Sequence, residues 1–209
     1  MRLAVVGAGN VGGGIGQAWR AAGHDVRWGV RDAASGRYGH LPADCLTSPA
    51  AAIEGADAIL LATPWPATEE ALRGLGDLHG RILIDATNPL RGAGASLALE
   101  IGFSVSGAEL VAGWAPGARI FKALNQTGAE NLADARRYAR PPVMFVAGDD
   151  AHGKALVLGL VSDLGFEALD AGPLVNARLL EPLAMLWIDQ AFARGRGRDF
   201  ALAIERPSR

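Results

Sequence analysis

The residues with the clearest chemical meaning are the glycines of Gly7-Ala8-Gly9-Asn10-Val11-Gly12, a turn that directly follows the apolar residues 3–6. Gly7 permits a tight turn, Gly9 leaves the backbone open to a phosphate, and Gly12 lets the next helix pack close to the strand. The amides and the dipole at the start of that helix both favour an anion. The pattern therefore predicts that this turn binds the pyrophosphate of a dinucleotide.

The end of the second apolar stretch, residues 26–30, bears on which dinucleotide is bound. It closes with Val30, Arg31 and Asp32, and the residue at this position meets the ribose of the adenosine half. A guanidinium at Arg31 suits a 2′-phosphate and favours NADP, with Arg37 as a second phosphate contact. In the alternative, Asp32 binds a free 2′-hydroxyl, Arg31 is solvated, and the cofactor is NAD.

Four further segments follow predicted strands, and open α/β sheets bind ligands at the carboxyl ends of their strands. The segments are residues 63–66, 86–90, 123–127 and 172–178, and they carry amides, hydroxyls and apolar groups. Lys122 is the only candidate acid or base beside them. Hydride transfer between two planar rings needs alignment more than acid–base groups. The sequence therefore favours hydride transfer between stacked rings and predicts no catalytic side chain.

Apolar runs alternate with helical patterns in the order that a doubly wound parallel sheet requires. Strands are predicted at residues 3–6, 26–30, 58–62, 81–85, 119–123 and 143–146, with a short edge strand within 166–171. Helices are predicted around 67–78, within 93–110 and over 151–164, the last capped by Asp150. The predicted fold class is α/β: a Rossmann-type, doubly wound, mostly parallel sheet with a C-terminal helical extension.

The C-terminal segment is predicted to be mainly helical. Apolar residues recur at spacings of three and four from Leu180 to Phe192 and form one broad stripe, which packs either on the sheet or on a second subunit. Trp187 and Phe192 are expected in the core, and Pro182 should either begin the main helix or kink it. We divide the chain into an NADP-binding domain, residues 1–170, and a C-terminal helical extension, residues 171–209.

Composition narrows the partners and the compartment. A net charge of −2 over 209 residues argues against nucleic acid as a partner. Five arginines in the last 16 residues form either a solvated basic tail or a contact with an anionic ligand or a neighbouring subunit. Cys45 is the only cysteine and the four histidines lack metal-ligand spacing, so we expect a cytoplasmic protein with no metal. Arg2 before an apolar stretch superficially resembles a signal peptide, but residues 7–16 are too rich in glycine for one. No apolar run approaches the length of a membrane helix.

A set of motifs spread almost from end to end resembles one family. These motifs are GAGNVG, GVRD, ATPW, IDATNPL, FKALNQTGAENLAD, VAGDD, LDAGPLVNARLLEPLAMLWI and GRDFAL. Together they resemble the NADPH-dependent reductases of the deazaflavin coenzyme F-420, the deazaflavin:NADP oxidoreductase family. Members of that family are usually homodimers whose C-terminal helices contribute to the interface and the pocket.

The resemblance implies a specific placement of two ligands. NADP would lie over the glycine turn with Arg31 on its 2′-phosphate, and a deazaflavin or flavin-type acceptor would stack on its nicotinamide. The implied cofactor-binding residues are Gly7, Ala8, Gly9, Asn10, Val11, Gly12, Val30, Arg31, Thr63, Pro64, Trp65 and Asn88. The predicted acceptor-binding residues are Pro89, Leu90, Asn125, Gln126, Leu174 and Asn176.

Two alternatives stay open at this point. Lys122 with Asn125 loosely resembles the lysine and asparagine of β-hydroxyacid dehydrogenases, which would make the protein a hydroxyacid or an imine or ketone reductase with Lys122 as proton donor. The 87 residues after Lys122 are too few for the long helical domain of those enzymes, and Lys122 itself is predicted to lie in a strand. The second alternative is a non-enzymatic sensor that binds NADP(H) and signals its redox state to a partner.

Overall fold

A computed structural model describes residues 1–93 and 96–207. Its strands are β1 (Arg2–Val6), β2 (Asp25–Gly29), β3 (Leu46–Thr47), β4 (Ala58–Leu61), β5 (Ile82–Asp85), β6 (Leu90–Arg91), β7 (Ala98–Leu99), β8 (Arg119–Lys122), β9 (Val143–Gly148) and β10 (Glu167–Asp170). Its α-helices are α1 (Asn10–Ala21), α2 (Pro49–Ile53), α3 (Thr68–Arg73), α4 (Gly107–Trp114), α5 (Ala129–Ala133), α6 (Ala151–Asp163) and α7 (Ala177–Ile188).

Within the described residues, eight strands form one sheet in the order β10-β9-β8-β5-β4-β1-β2-β3. Neighbouring strands are parallel except β8 and β9, which are antiparallel. The chain builds outward from β1 through β2 and β3, then crosses to the other side of β1 to form β4. This reversal creates a crevice between the carboxyl ends of β1 and β4, where ligands bind in folds of this kind.

Helices cover both faces of the sheet, which explains the continuous apolar runs of the strands. Successive residues of β1 show this directly, because Leu3 and Val5 belong to the hydrophobic cluster on one face. Ala4 and Val6 belong to the cluster on the other face. The predicted α/β fold class is therefore confirmed, and so are the edge strand within residues 166–171 and the cap at Asp150, whose carboxylate accepts a hydrogen bond from the amide of Gly153.

The helix predicted within residues 93–110 is wrong over most of its length. Residues 98–99 form β7, which pairs antiparallel with β6, and α4 begins only at Gly107. A capping box sets that start: the Ser106 hydroxyl accepts from the amide of Glu109, and the Glu109 carboxylate accepts from the amide of Ser106. Residues 94 and 95 lie outside the described residues. The helix predicted around residues 67–78 is also shorter, since α3 ends at Arg73 and is followed by Gly74.

The C-terminal segment corrects two expectations. Pro182 lies inside α7, so it does not begin the helix. Trp187 is buried as expected, but Phe192 is 41% exposed, with the Arg198 guanidinium over its ring. The chain turns back after a π-helical turn over Asp189–Ala193, and the ring of Phe200 stacks on Trp187 with 5.1 Å between ring centroids. Phe200 therefore covers the indole.

The basic tail is balanced by carboxylates of the same chain. Arg194 pairs with Asp189, Arg198 with Glu130, and Arg206 with Glu167, at N–O distances between 2.5 and 3.0 Å. Exposed pairs of this kind each contribute little to stability. They nevertheless hold the tail along the surface of the protein. Among residues 1–93 and 96–207, no helix is long and apolar enough to cross a membrane.

Candidate nucleotide and acceptor site

The glycine turn after β1 has the geometry that its sequence predicts. Gly7 has φ +100°, and a Cβ there would lie 2.7 Å from the carbonyl oxygen of Ala62. A Cβ at Gly12 would lie 2.0 Å from the carbonyl oxygen of Gly7. A Cβ at Gly9 would meet no atom within 4 Å. Two glycines thus allow close packing, and the third leaves an open cradle at the start of α1.

The first turn of α1 leaves its amides available for a ligand. Gly9 is the N-cap and offers no side chain, and the first turn contains no acidic residue. The free amides and the positive end of the helix dipole make this terminus an anion site. With the open cradle at Gly9, the residues present fit the pyrophosphate of a dinucleotide.

A cavity of about 770 Å³ extends from this turn across the carboxyl ends of β1, β2 and β4. Nine of the twelve predicted cofactor-binding residues line it, and the other three, Gly12, Trp65 and Asn88, do not. The opposite wall comes from α3 and its flanks, where Ala67, Ala71 and Gly74 lie. These small residues recur at spacings of four and three, a signal that sequence reasoning missed, and they leave room for a flat ring.

Arg31 and Arg37 both line this cavity. Within the described part of the chain neither guanidinium has a hydrogen-bonding or ion-pair partner, whereas those of most other arginines do. Asp32 does not line the cavity, and its carboxylate accepts from the amide of Ala34 within its own turn. The geometry therefore favours a 2′-phosphate on Arg31 over a ribose hydroxyl on Asp32.

A chain of side-chain amides lies at the carboxyl ends of β5 and β8. Asn88 and Asn125 exchange hydrogen bonds of 3.0 Å, and Gln126 donates to Asn125 Oδ1, also at 3.0 Å. Leu124 directly precedes Asn125 and Gln126 and is fully buried with φ +60°. This left-handed conformation is strained for a bulky side chain. The backbone turn at Leu124 thus holds Asn125 opposite Asn88.

The other predicted acceptor residues lie on two sides of this edge. Pro89 and Trp65 both lie against Gly107, where a Cβ would come within 3.3 Å of each. Leu174 is buried, and Asn176 donates to the carbonyl of Ala171 at 2.5 Å. None of the six predicted acceptor residues lines the 770 Å³ cavity. That cavity therefore lies apart from the predicted acceptor residues.

Lys122 is the centre of a buried ionic cluster that the sequence analysis missed. Its Nζ lies 2.9 Å from Asp85 Oδ2, 2.8 Å from Glu181 Oε1 and 2.6 Å from the carbonyl of Thr87. All three charged side chains are buried. Burial disfavours the ammonium, but the two carboxylates outweigh it and raise the pKa of Lys122 above its usual value. Lys122 therefore stays charged and out of contact with solvent, which is a poor arrangement for a proton donor to substrate.

Glu181 extends this cluster to the start of α4. Its carboxylate accepts from the amides of Gly107 at 2.8 Å and Ala108 at 3.1 Å. On the preceding turn of α7, Arg178 binds Glu109 in a bidentate pair. The hydrogen bond from Arg178 outweighs burial and lowers the pKa of Glu109 to about 2. Two acidic side chains thus fix α7 against α4. A charged residue at an apolar position of a helix or strand, as at Glu181 and Asp85, was the signal for this cluster.

The family model described as NADP oxidoreductase, coenzyme F-420-dependent, matches residues 2–89. The chain is similar to the crystal structure of a candidate F-420-dependent NADP reductase from an Arthrobacter species, with 31% identity, a TM-score of 0.87, and coverage of 99% of this chain and 100% of that one. The chain belongs to the F-420-dependent NADP oxidoreductase family. This protein is accordingly an NADP-dependent oxidoreductase. The family resemblance that its motifs indicated is confirmed.

Two other solved structures place the family in a wider fold group. A hypothetical protein from Sinorhizobium meliloti is 25% identical, with a TM-score of 0.72 over 87% of this chain and 90% of that one. A reductive aminase from Aspergillus terreus, in complex with NADPH and ethyl levulinate, is 22% identical, with a TM-score of 0.63 over 88% of this chain and 59% of that one. At 22% identity, the likeness between the reductive aminase and this protein shows a shared fold.

Proposed function

We propose that this protein transfers a hydride between NADP(H) and a deazaflavin or flavin-type acceptor that stacks on the nicotinamide. The observation that carries the proposal is the burial of Lys122 between Asp85 and Glu181. Lys122 is the only candidate acid or base that the sequence identifies beside the site, and both carboxylates of this cluster are paired with it. Transfer to a ketone or imine calls for a proton donor, whereas ring-to-ring hydride transfer depends on alignment.

The residues of the nucleotide half act by binding and positioning. The amides after Gly9 hold the pyrophosphate, and Arg31 with Arg37 holds the 2′-phosphate. NADPH supplies the hydride when it is bound. Pro64 and Trp65 form a stiff wall beside the nicotinamide ribose, because proline fixes its own φ angle.

The acceptor half is proposed at the carboxyl ends of β5 and β8 and at the start of α7. Its wall would comprise Asn88, Pro89, Leu90, Asn125, Leu174 and Asn176. The hydrogen bonds of Gln126 run to Asn125 and to the backbone of Phe145, so we assign it to holding Asn125 from behind. In this proposal residues 171–207 complete the pocket as an extension of the nucleotide-binding domain.

The test is steady-state oxidation of NADPH, followed by its absorbance, with coenzyme F-420, FMN, FAD or riboflavin as the acceptor. We expect turnover with at least one of these rings. Gly9→Val is the matched variant: Gly9 has φ −71° and ψ −168°, which any residue adopts, so a side chain fills the cradle without backbone strain. It should weaken NADPH binding by more than about tenfold and reduce turnover with it.

Two outcomes would contradict the proposal. Tight NADPH binding with no turnover on any of the four rings would favour a redox sensor. Turnover on a ketone or imine but on none of the rings would favour a carbonyl or imine reductase.

We also propose that the protein is a homodimer that pairs through the outer face of α7. Leu179 and Leu186 are exposed on α7, at 66% and 57%, and Val175 is exposed in the turn that precedes it. Exposed apolar side chains on one face mark interaction surfaces. We expect the mass of a dimer in light scattering after size exclusion, and that of a monomer for the double variant Leu179→Glu, Leu186→Glu. The control is Ile204→Glu, an exposed apolar residue outside this face. A monomeric wild type would overturn the proposal.

A further inference from the structure

The amide chain at the carboxyl ends of β5 and β8 has a fixed direction from Gln126 to Asn88. Gln126 Oε1 accepts from the amide of Phe145 at 2.9 Å, and its Nε2 donates to the carbonyl of the same residue at 3.0 Å. A backbone N–H can be met only by the oxygen of an amide side chain, and a carbonyl only by its nitrogen. The backbone of β9 therefore determines which way the Gln126 amide is turned.

The orientation passes along the chain by the same logic. Gln126 Nε2 donates to Asn125 Oδ1 at 3.0 Å, which leaves Asn125 Nδ2 to donate to Asn88 Oδ1 at 3.0 Å and to the carbonyl of Leu180 at 3.4 Å. Asn88 Nδ2 in turn donates to the backbone carbonyl of Asn125 at 3.0 Å. Each amide thus has at least one backbone partner, and none can rotate by 180° without losing it.

Asn88 is the most exposed member of this chain of amides. Asn125 and Gln126 are each only 4% exposed, whereas Asn88 is partly exposed. Within the described residues, the Asn88 amide uses one of its two N–H groups and one of its two oxygen lone pairs. One donor and one acceptor, on a group of fixed orientation, are left for a ligand.

We infer that the amide chain presets Asn88 to accept a hydrogen bond from the N–H on the amide or imide edge of a planar ring. Gln126 and Asn125 are positioning residues in this scheme, because they act through Asn88. The inference rests on the proposed function, since both rings proposed for this site carry such an edge. On the nicotinamide this edge is the carboxamide, and on a flavin or deazaflavin it is the imide of the pyrimidinedione.

The strained turn at Leu124 is in keeping with this role. A buried non-glycine residue with positive φ persists where the surrounding structure determines it, and such residues cluster at ligand sites. Here the turn directs the backbone carbonyl and the side chain of Asn125 to the same partner, Asn88. The amide pair is therefore set before any ligand arrives.

The test compares binding of ligand pairs that differ only in the donor of this edge. Riboflavin is compared with 3-methylriboflavin, which lacks the imide N–H, and NADP⁺ with its 3-acetylpyridine analogue, which lacks the amide N–H. Wild-type protein should prefer the N–H ligand by about tenfold in one pair or both, the size of one net hydrogen bond. The pair that shows the preference identifies the ring that Asn88 contacts.

Two variants separate recognition from positioning. Asn88→Ala should abolish the preference, and Gln126→Glu should reduce it because a carboxylate cannot donate to Asn125. Gln17→Glu makes the same chemical change at an exposed site whose amide bonds the carbonyl of His40, and it should leave the preference unchanged. If Gln126→Glu does not fold, Asn88→Ala still tests recognition.

Equal affinity for both members of each pair in the wild type, or an undiminished preference in Asn88→Ala, would overturn the inference. The measurement needs no turnover. Failure of the redox assay with a retained preference would therefore reject the proposed function and keep the inference, and the reverse result would do the opposite.

Discussion

Lys122→Met is expected to lower the free energy of unfolding by about 3 to 5 kcal/mol, because it leaves two buried carboxylates without their cation. Methionine matches the length of the lysine side chain, so little of the loss comes from a cavity. Asp85 keeps hydrogen bonds from the amide and hydroxyl of Thr87, and Glu181 keeps those from the start of α4. Both carboxylates would nevertheless share a dry environment with no counter-charge.

Urea unfolding with linear extrapolation measures this loss. Lys154→Met is the matched control: its ammonium lies 2.8 Å from Asp170, a pair in which the aspartate is 54% exposed, so we expect a loss below about 1 kcal/mol. Equal losses for the two variants would show that the buried cluster is not the stabilising unit described above. Where Lys122→Met is folded, its NADPH oxidation should stay within about tenfold of wild type, since no proton donor is required. A collapse of turnover in folded protein would favour the hydroxyacid or ketone reductase alternative.

Arg31→Ala is expected to weaken NADPH binding by about 1 to 3 kcal/mol and to leave NADH binding almost unchanged. The reason is that the guanidinium lines the cavity without a partner among the described residues, so it is free to bind a 2′-phosphate that NADH lacks. Arg37→Ala should show a smaller loss of the same kind, because its side chain approaches from a neighbouring loop.

Titration calorimetry with both nucleotides decides the matter. The control is Arg27→Ala, an exposed arginine of β2, the strand that precedes Arg31, and it does not line the cavity. Equal losses for NADPH and NADH in Arg31→Ala would contradict the phosphate assignment. A loss in Arg27→Ala as large as that in Arg31→Ala would point to general electrostatic attraction between the protein and the nucleotide.

The sheet and the glycine turn could be predicted because their signals are local. Strands such as β1 are apolar on both faces, and the turn from Gly7 to Gly12 encodes its own geometry within six residues. The hairpin of β6 and β7 could not be predicted, because a strand of two residues is too short to show the alternation that distinguishes a strand from a helix. The start of α4 was readable in principle, since Ser106 and Glu109 have the spacing of a capping box.

The two networks at the other edge of the sheet depend on residues distant in sequence. Asn88 and Asn125 are 37 positions apart, and Glu181 meets the amide of Gly107 across 74 positions. Nothing near Lys122 in the chain identifies its two carboxylates. Only the tertiary fold, by placing the ends of β5 and β8 under α7, shows that the single titratable candidate is a structural ion beside a chain of neutral amides.

The seating of Phe200 on Trp187 has a practical consequence for handling the protein. The carbonyl of Phe200 accepts from the indole and from Asn131, which also binds the carbonyl of Arg198. Residues 198–200 are therefore hydrogen-bonded to the hydrophobic interior, and a truncation that removes them would break these contacts. A purification tag or fusion partner placed after these residues would leave their contacts intact. An expression boundary upstream of Phe200 would leave the indole of Trp187 uncovered.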